Sequence, residues 1–134
     1  MATTAFQVAE MPTTQAVGVI RAGLPTEAFA GVAKALSLTV DELAAKLGIS
    51  PRTLRDQRKR KGRLSVENTE KLVRIARIHQ LARKIFTSDE AVSQWLAATA
   101  PALDGLKPID LLDTDTGARE VESVLHGIAF GNVM

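Results

Sequence analysis

Thr39-Val-Asp-Glu-Leu-Ala-Ala-Lys-Leu-Gly48-Ile-Ser-Pro-Arg-Thr-Leu-Arg-Asp-Gln-Arg-Lys-Arg-Lys-Gly-Arg63 reads as a helix, a tight glycine turn and a strongly basic second helix. Thr39 can cap the first helix with its hydroxyl, and Glu42 three residues on can reach back to the free amide, the reciprocal arrangement of a capping box. Leu43 and Leu47 lie four apart on one face, with the small Ala44 beside them for a close helix approach. Gly48 offers the left-handed conformation that closes a helix without a Cβ clash. Ser50 then caps the next helix, and Pro51 occupies its first position, where a missing amide hydrogen costs nothing. The spacing predicts a helix-turn-helix.

Around the second helix, at about 100° per residue, Leu54 points inward while Arg52, Arg55, Asp56 and Lys59 fall on the opposite arc. Such a helix is shaped for a DNA major groove. Ser50, Arg52, Thr53, Arg55, Asp56, Arg58, Lys59, Arg60, Lys61 and Arg63 are the candidate DNA-binding residues. Arg52 and Arg55 suit bidentate contact with guanine edges, and Arg58, Lys59, Arg60, Lys61 and Arg63 suit phosphates. Asp56 repels phosphate, so it either accepts from a cytosine amino group or steadies a neighbouring arginine. Gln57 stands where many such motifs carry a second apolar anchor. Leu54 is therefore the helix's only large apolar residue before Leu64, which predicts a lightly seated helix. A solvated basic helix on an ordinary bundle is the alternative, because this geometry also serves packing alone.

Charge is divided along the chain. Residues 1–50 carry a net −1, residues 51–84 a net +9 and residues 85–134 a net −6, concealed in a total of +2. A basic block followed by an acidic one predicts a nucleic-acid surface joined to something different. The 134 residues suffice for one core, or two small ones that lean on each other. With no Cys there are no disulfides or thiolate metal sites, in keeping with a reducing cytosol. Neither a signal-peptide pattern nor a run of about 18 apolar residues is present, so a soluble, cytoplasmic protein without membrane contact is expected. Aromatic residues make up 4% and Tyr is lacking, which disfavours binding of single strands by base stacking.

The fold class expected is all-α: an N-terminal helix-turn-helix bundle followed by a small C-terminal helical domain. Residues 1–12 show weak periodicity and read as a mobile N-terminal arm, residues 13–84 as the helix-turn-helix domain and residues 85–134 as the C-terminal domain. A short helix runs from Thr13 or Thr14 to Gly23, and Thr26 caps the next, with Phe29, Val32, Ala33 and Leu36 on its buried face. Ser65 opens a long helix whose apolar side turns from Leu72, Ile75 and Ala76 toward Ile78, Leu81, Ala82 and Ile85, placing the domain junction near residues 80–87. Thr87 with Glu90 forms a second capping box, Pro101, Gly105 and Pro108 break the chain into turns, and Thr114 caps a last helix with the stripe Ala118, Val121, Leu125 and Ile128. Strand content is at most a marginal hairpin.

Signals for catalysis are weak. His79 and His126 have no metal-ligand spacing, and His79 lies on the apolar side of its helix, where a structural histidine is the commoner case. Asp110, Asp113, Asp115, Glu120 and Glu122 cluster in sequence, as solvated faces and helix starts also do. No phosphate loop or nucleophile motif occurs. No enzymatic activity, cofactor or metal site is expected.

The C-terminal half carries Gln94-Trp-Leu, Leu106-Lys-Pro-Ile-Asp-Leu-Leu112, Thr114-Asp-Thr-Gly-Ala-Arg-Glu-Val121 and Ile128-Ala-Phe-Gly131, after Arg52-Thr-Leu in the motif helix. In this order they resemble the Xre/MbcA/ParS antitoxins, which join an Xre-like helix-turn-helix to a C-terminal toxin-binding domain. The resemblance covers the chain from about Gly23-Leu-Pro25 onward. It implies a type II toxin-antitoxin system whose toxin has a RES domain and consumes NAD or transfers ADP-ribose from it, with the antitoxin covering the toxin's active site and repressing its own operon as a homodimer on operator DNA. Carried over by motif, toxin contact falls on Arg119, Glu122, Leu125, Ile128, Phe130 and Gly131. For Trp95 and Leu125 a place in the core of the small domain is the stronger alternative. Two further readings stay open: a transcriptional regulator without a toxin partner, and a toxin inhibitor whose helix-turn-helix is only a scaffold.

Overall fold

The computed structural model describes residues 3–60 and 62–131. The central motif forms as its caps require. In α4 (Val40–Lys46) the Thr39 hydroxyl accepts from the Glu42 amide at 3.1 Å while the Thr39 amide donates to Glu42 Oε1 at 2.9 Å. Those hydrogen bonds hold the Glu42 carboxyl below the usual carboxylate range. The helix ends in paired bonds, Ile49 N–H to Ala44 O at 2.8 Å and Gly48 N–H to Ala45 O at 3.1 Å, with Gly48 at φ 69°. Ser50 caps α5 (Pro51–Lys59), its hydroxyl accepting from the Thr53 amide. Leu43, Ala44, Leu47 and Leu54 are buried between these helices and the rest of the bundle.

Around this pair stand α1 (Ala5–Glu10), α2 (Thr13–Ala22), α3 (Ala28–Ala35), α6 (Val66–Arg83), α7 (Asp89–Ala97) and α8 (Asp115–Ala129), with 3₁₀ turns at Pro101–Leu103 and Pro108–Leu111. The protein is all-α, with a helix-turn-helix domain followed by a C-terminal helical domain; among the described residues β-structure is limited to the isolated bridges Pro25–Arg63 and Ala100–Leu106. No described helix is long and apolar enough to cross a membrane. Helix α6 is the spine. Thr69, Leu72, Val73, Ile75, Ala76, Ile78, His79 and Ala82 are buried on it, and α1, α2 and α3 pack on it together with α7 and α8. Its apolar side turns along its length because different partners cover successive turns.

Three local expectations are corrected. The supposed mobile arm contains α1, whose Ala5 and Val8 are buried and whose Thr4 makes a capping box with Gln7. Its apolar face is too short to register as periodic, yet it packs on α6, and Gln80 Nε2 donates to the Phe6 carbonyl at 3.0 Å. Thr26 does not cap α3: the chain enters through a turn with Glu27 as the last non-helical residue, and the Thr26 side chain is buried. Ser88, not Thr87, caps α7, its hydroxyl accepting from the Ala91 amide at 3.0 Å.

The helix-turn-helix is closed behind by a strap between Gly23-Leu24-Pro25 and Arg63-Leu64. Leu64 N–H bonds Leu24 O at 2.8 Å, Arg63 Nη1 donates to Gly23 O at 2.8 Å, and the buried Leu24 amide donates to Thr69 Oγ1 at 3.1 Å. Thr69 is thus a buried polar residue whose hydroxyl satisfies an amide that water does not reach. Replacing Thr69 by Val keeps the shape and strands that donor, so it should cost about 1–3 kcal/mol in chemical denaturation. Thr69→Ser, which keeps the acceptor, should cost clearly less.

Candidate functional site

Helix α5 buries Leu54 and nothing else. Arg52, Thr53, Arg55, Asp56, Arg58, Lys59 and Arg60 are all exposed, and Gln57 is half-buried, its backbone carbonyl accepting from the Gly62 amide at 2.9 Å. A single buried apolar anchor therefore seats a helix whose exposed surface carries the cations Arg52, Arg55, Arg58 and Lys59. Two expected contacts have other duties. The Ser50 hydroxyl is engaged as the cap, and Arg63 holds the strap through Gly23. Lys61 lies outside the described residues. Arg55 is paired, with Nη1 at 3.1 Å from Asp41 Oδ2 at the start of α4. Of the two roles open to Asp56 from the sequence, steadying an arginine falls instead to Asp41, fourteen residues before Arg55. No periodicity signals so distant a pair.

In the C-terminal half the Thr-Asp-Thr-Gly start of α8 has a clear geometric basis. Thr114 Oγ1 accepts from the Gly117 amide at 3.0 Å, and Gly117 lies so close to the Leu111 carbonyl that any Cβ would overlap its oxygen. The preceding Pro-Ile-Asp-Leu-Leu turn buries Pro108, Ile109 and Leu112 and points Asp110 outward, where it bonds Lys46 of α4 at 2.5 Å. Trp95 is half-buried against Phe86, ring centroids 5.9 Å apart. The acidic side chains do not converge: Asp110 pairs with Lys46 and Asp115 with Arg119, while Asp113 and Glu120 face solvent.

The candidate contact residues separate by depth. Leu125 is fully buried beside Ala118, Val121 and Val124, so it belongs to the core and leaves the contact set. Its i−4 and i−7 neighbours explain this: the same stripe that makes α8 amphipathic must cover α6. Arg119 is exposed and bonded to Asp115 at 2.9 Å, Glu122 and Ile128 are half-buried, and Gly131 is exposed at φ 76°. Phe130, 81% exposed, is the most exposed of the large apolar residues described. Its ring stacks on His126 at 6.4 Å and borders a cavity of about 490 Å³ that Leu81, Ile85, Ile128 and Ala129 also line.

Comparison with known proteins matches both halves. The Antitoxin Xre-like helix-turn-helix domain fits residues 15–77, and the Antitoxin Xre/MbcA/ParS C-terminal toxin-binding domain fits residues 81–131. The chain belongs to the Xre/MbcA/ParS family of antitoxins. It is 32% identical over 80 residues to an Antitoxin Xre of Pseudomonas putida, covering 60% of this chain and half the length of that protein. An Antitoxin Xre of Yersinia enterocolitica is 27% identical over 116 residues, and a Prs ADP-ribosylating antitoxin of a Sphingobium species is 29% identical over 124; each match covers 86% of this chain and 78% of the relative.

In this antitoxin the seam between the two halves contains His79, buried on α6. Its ring meets Phe6 of α1 edge-on at 5.4 Å, and its Nε2 lies 3.1 Å from Asp89 Oδ1, off the line of a well-formed hydrogen bond. Asp89 also holds Arg83 at 3.2 Å. Burial depresses the His79 pKa and outweighs the attraction of Asp89, with Arg83 adding to the depression. The unfolded chain therefore takes up this proton more readily than the folded one. Its contribution is fully present above the unfolded value of about 6.5 and is lost as pH falls through the lower folded value. Melting temperature should fall on acidification from pH 7 to 5, and His79→Gln should flatten that dependence; an unchanged slope in the variant would assign it to other groups.

Proposed function

We propose that this antitoxin inhibits an NAD-consuming RES-domain toxin by covering its active site, and that as a homodimer it represses its own operon through α5. It would act in the cytoplasm as part of a type II toxin-antitoxin system. The observation that carries the reading is the division of two exposed surfaces of opposite character. A segment of net +9 contains a recognition helix seated by one leucine, and a segment of net −6 carries an almost bare phenylalanine at the end of its last helix.

The cationic face suits a polyanion. Arg52, near the start of α5, is placed for a base edge, while Arg58, Lys59 and Arg60 suit phosphates, with two copies meeting operator half-sites about 34 Å apart. The acidic module suits a cleft that binds the phosphates of NAD, because such a cleft is expected to be positive and would steer the antitoxin to itself. Phe130 supplies an apolar anchor, and Arg119, Glu122, Ile128 and Gly131 lie beside it or one to three turns back along α8. The Sphingobium relative is named for ADP-ribosylation, a reaction that draws on NAD, which agrees with this choice of toxin.

Separate substitutions test the two surfaces. Arg52→Ala should weaken binding to the operon's own promoter by about 1–3 kcal/mol and leave toxin binding intact. Phe130→Ala should weaken toxin binding by about 2 kcal/mol or more without affecting DNA. Copurification with the neighbouring gene's product and fluorescence anisotropy on promoter DNA read the two results. Failure to copurify removes the toxin reading, and loss of neither property in Arg52→Ala favours a helix-turn-helix that serves only as scaffold.

A further inference from the structure

We propose that Asp41 is a specificity-determining residue of the DNA-reading face, acting by holding Arg55 in a single pose; the inference rests on the reading of α5 as the recognition helix. Among the described residues, Arg55 is the only cation of α5 within ion-pair distance of a carboxylate. The bond runs from Nη1 to Asp41 Oδ2 at 3.1 Å, and the two side chains remain 53% and 57% exposed, so both are open to an incoming duplex.

The pair is anchored at both ends. Asp41 occupies the second position of α4, where a carboxylate is favoured by the helix N-terminus. The capping box and the burial of Leu43, Ala44 and Leu47 fix α4, and the Gly48 turn fixes α5 against it. An exposed ion pair adds little to stability. Its effect is on pose. A guanidinium carries five donors in a rigid plane, and one bond to Asp41 leaves the Nε and Nη2 edge free for the O6 and N7 of a guanine. Arginine's rotamer freedom is then restricted before DNA arrives, and the free alternative, a wandering contact with phosphate, is suppressed. Asp41 also repels backbone phosphate wherever the helix docks out of register, a cost borne by wrong sites more than by the right one. Asp56 lies on the same arc without a described ion-pair partner, so it offers Arg55 no equivalent hold.

The test uses the full-length protein on its own promoter fragment and on a panel with single base-pair changes, read by anisotropy at several salt concentrations, with circular dichroism confirming fold. Asp41→Asn should lose about tenfold of discrimination at one base pair, bind unrelated DNA more tightly and show a salt slope steeper by about one counterion. Arg55→Ala should lose preference at that same base pair, and the double variant should match Arg55→Ala alone. Unaltered base preferences in Asp41→Asn, or a uniform loss across the panel, would overturn the role of Asp41 while leaving DNA recognition standing. A wild-type protein without salt-sensitive preference for its promoter would instead overturn the DNA reading itself.

Discussion

Burial of α6 from several sides is the constraint on which the architecture depends. Eight of its residues lie away from water, distributed so that no single neighbour covers them. The N-terminal helices take part of that surface, and α7 and α8 take another. Neither half buries the helix alone, so the halves share one continuous hydrophobic core rather than meeting across a linker. Removing apolar area from water, at about 25 cal/mol per Å², is the main force favouring the fold at this size, and splitting that area between two separate cores would bury a smaller share of it.

A shared spine also settles where polar links occur. Lys46–Asp110 joins α4 to the turn before α8, and the cluster of His79, Arg83 and Asp89 joins α6 to α7. These bonds are exposed or half-exposed apart from the histidine, so they orient the halves more than they stabilise them. His79 is different in kind. Its ring fills space against Phe6 and depends on staying neutral, which ties the packing of α1 to the protonation of a residue at the seam.

Much of the fold is legible in the sequence because its strongest signals are local. The Thr39–Glu42 capping box, Gly48, and Ser50-Pro51 are each specified within a few residues, and each forms as the spacing demands. Signals fail where a long-range contact decides. Ala5 and Val8 form a helix because α6 offers them a surface; the one local sign of it within residues 1–12 is the Thr4–Gln7 capping box, and the apolar face behind it is too short to register as periodic. Ser88 displaces Thr87 because either hydroxyl could cap and only the path out of α6 chooses between them. The site shows the same division. Exposure of Arg52 and Lys59 follows from their place opposite Leu54, whereas the Asp41–Arg55 bond and the Arg63–Gly23 bond require the folded arrangement of separate elements.

Residues needed for folding and those proposed for contact are therefore largely distinct sets, even where they alternate along one helix, although the half-buried Ile128 packs against the core as well. On α8, Leu125 is sealed against the core while Phe130, five residues on, is almost wholly free. Gly117 belongs to the first set despite its place in the family's toxin-binding domain, since the Leu111 carbonyl occupies the position of a Cβ. On α5 the division is sharper still, with Leu54 its one buried residue and every cation exposed. Loss of binding after substitution at Arg52 or Phe130 consequently reports contact, because neither side chain supports the core. The same loss at Leu125 or Gly117 reports a damaged fold, and only a stability measurement separates the two.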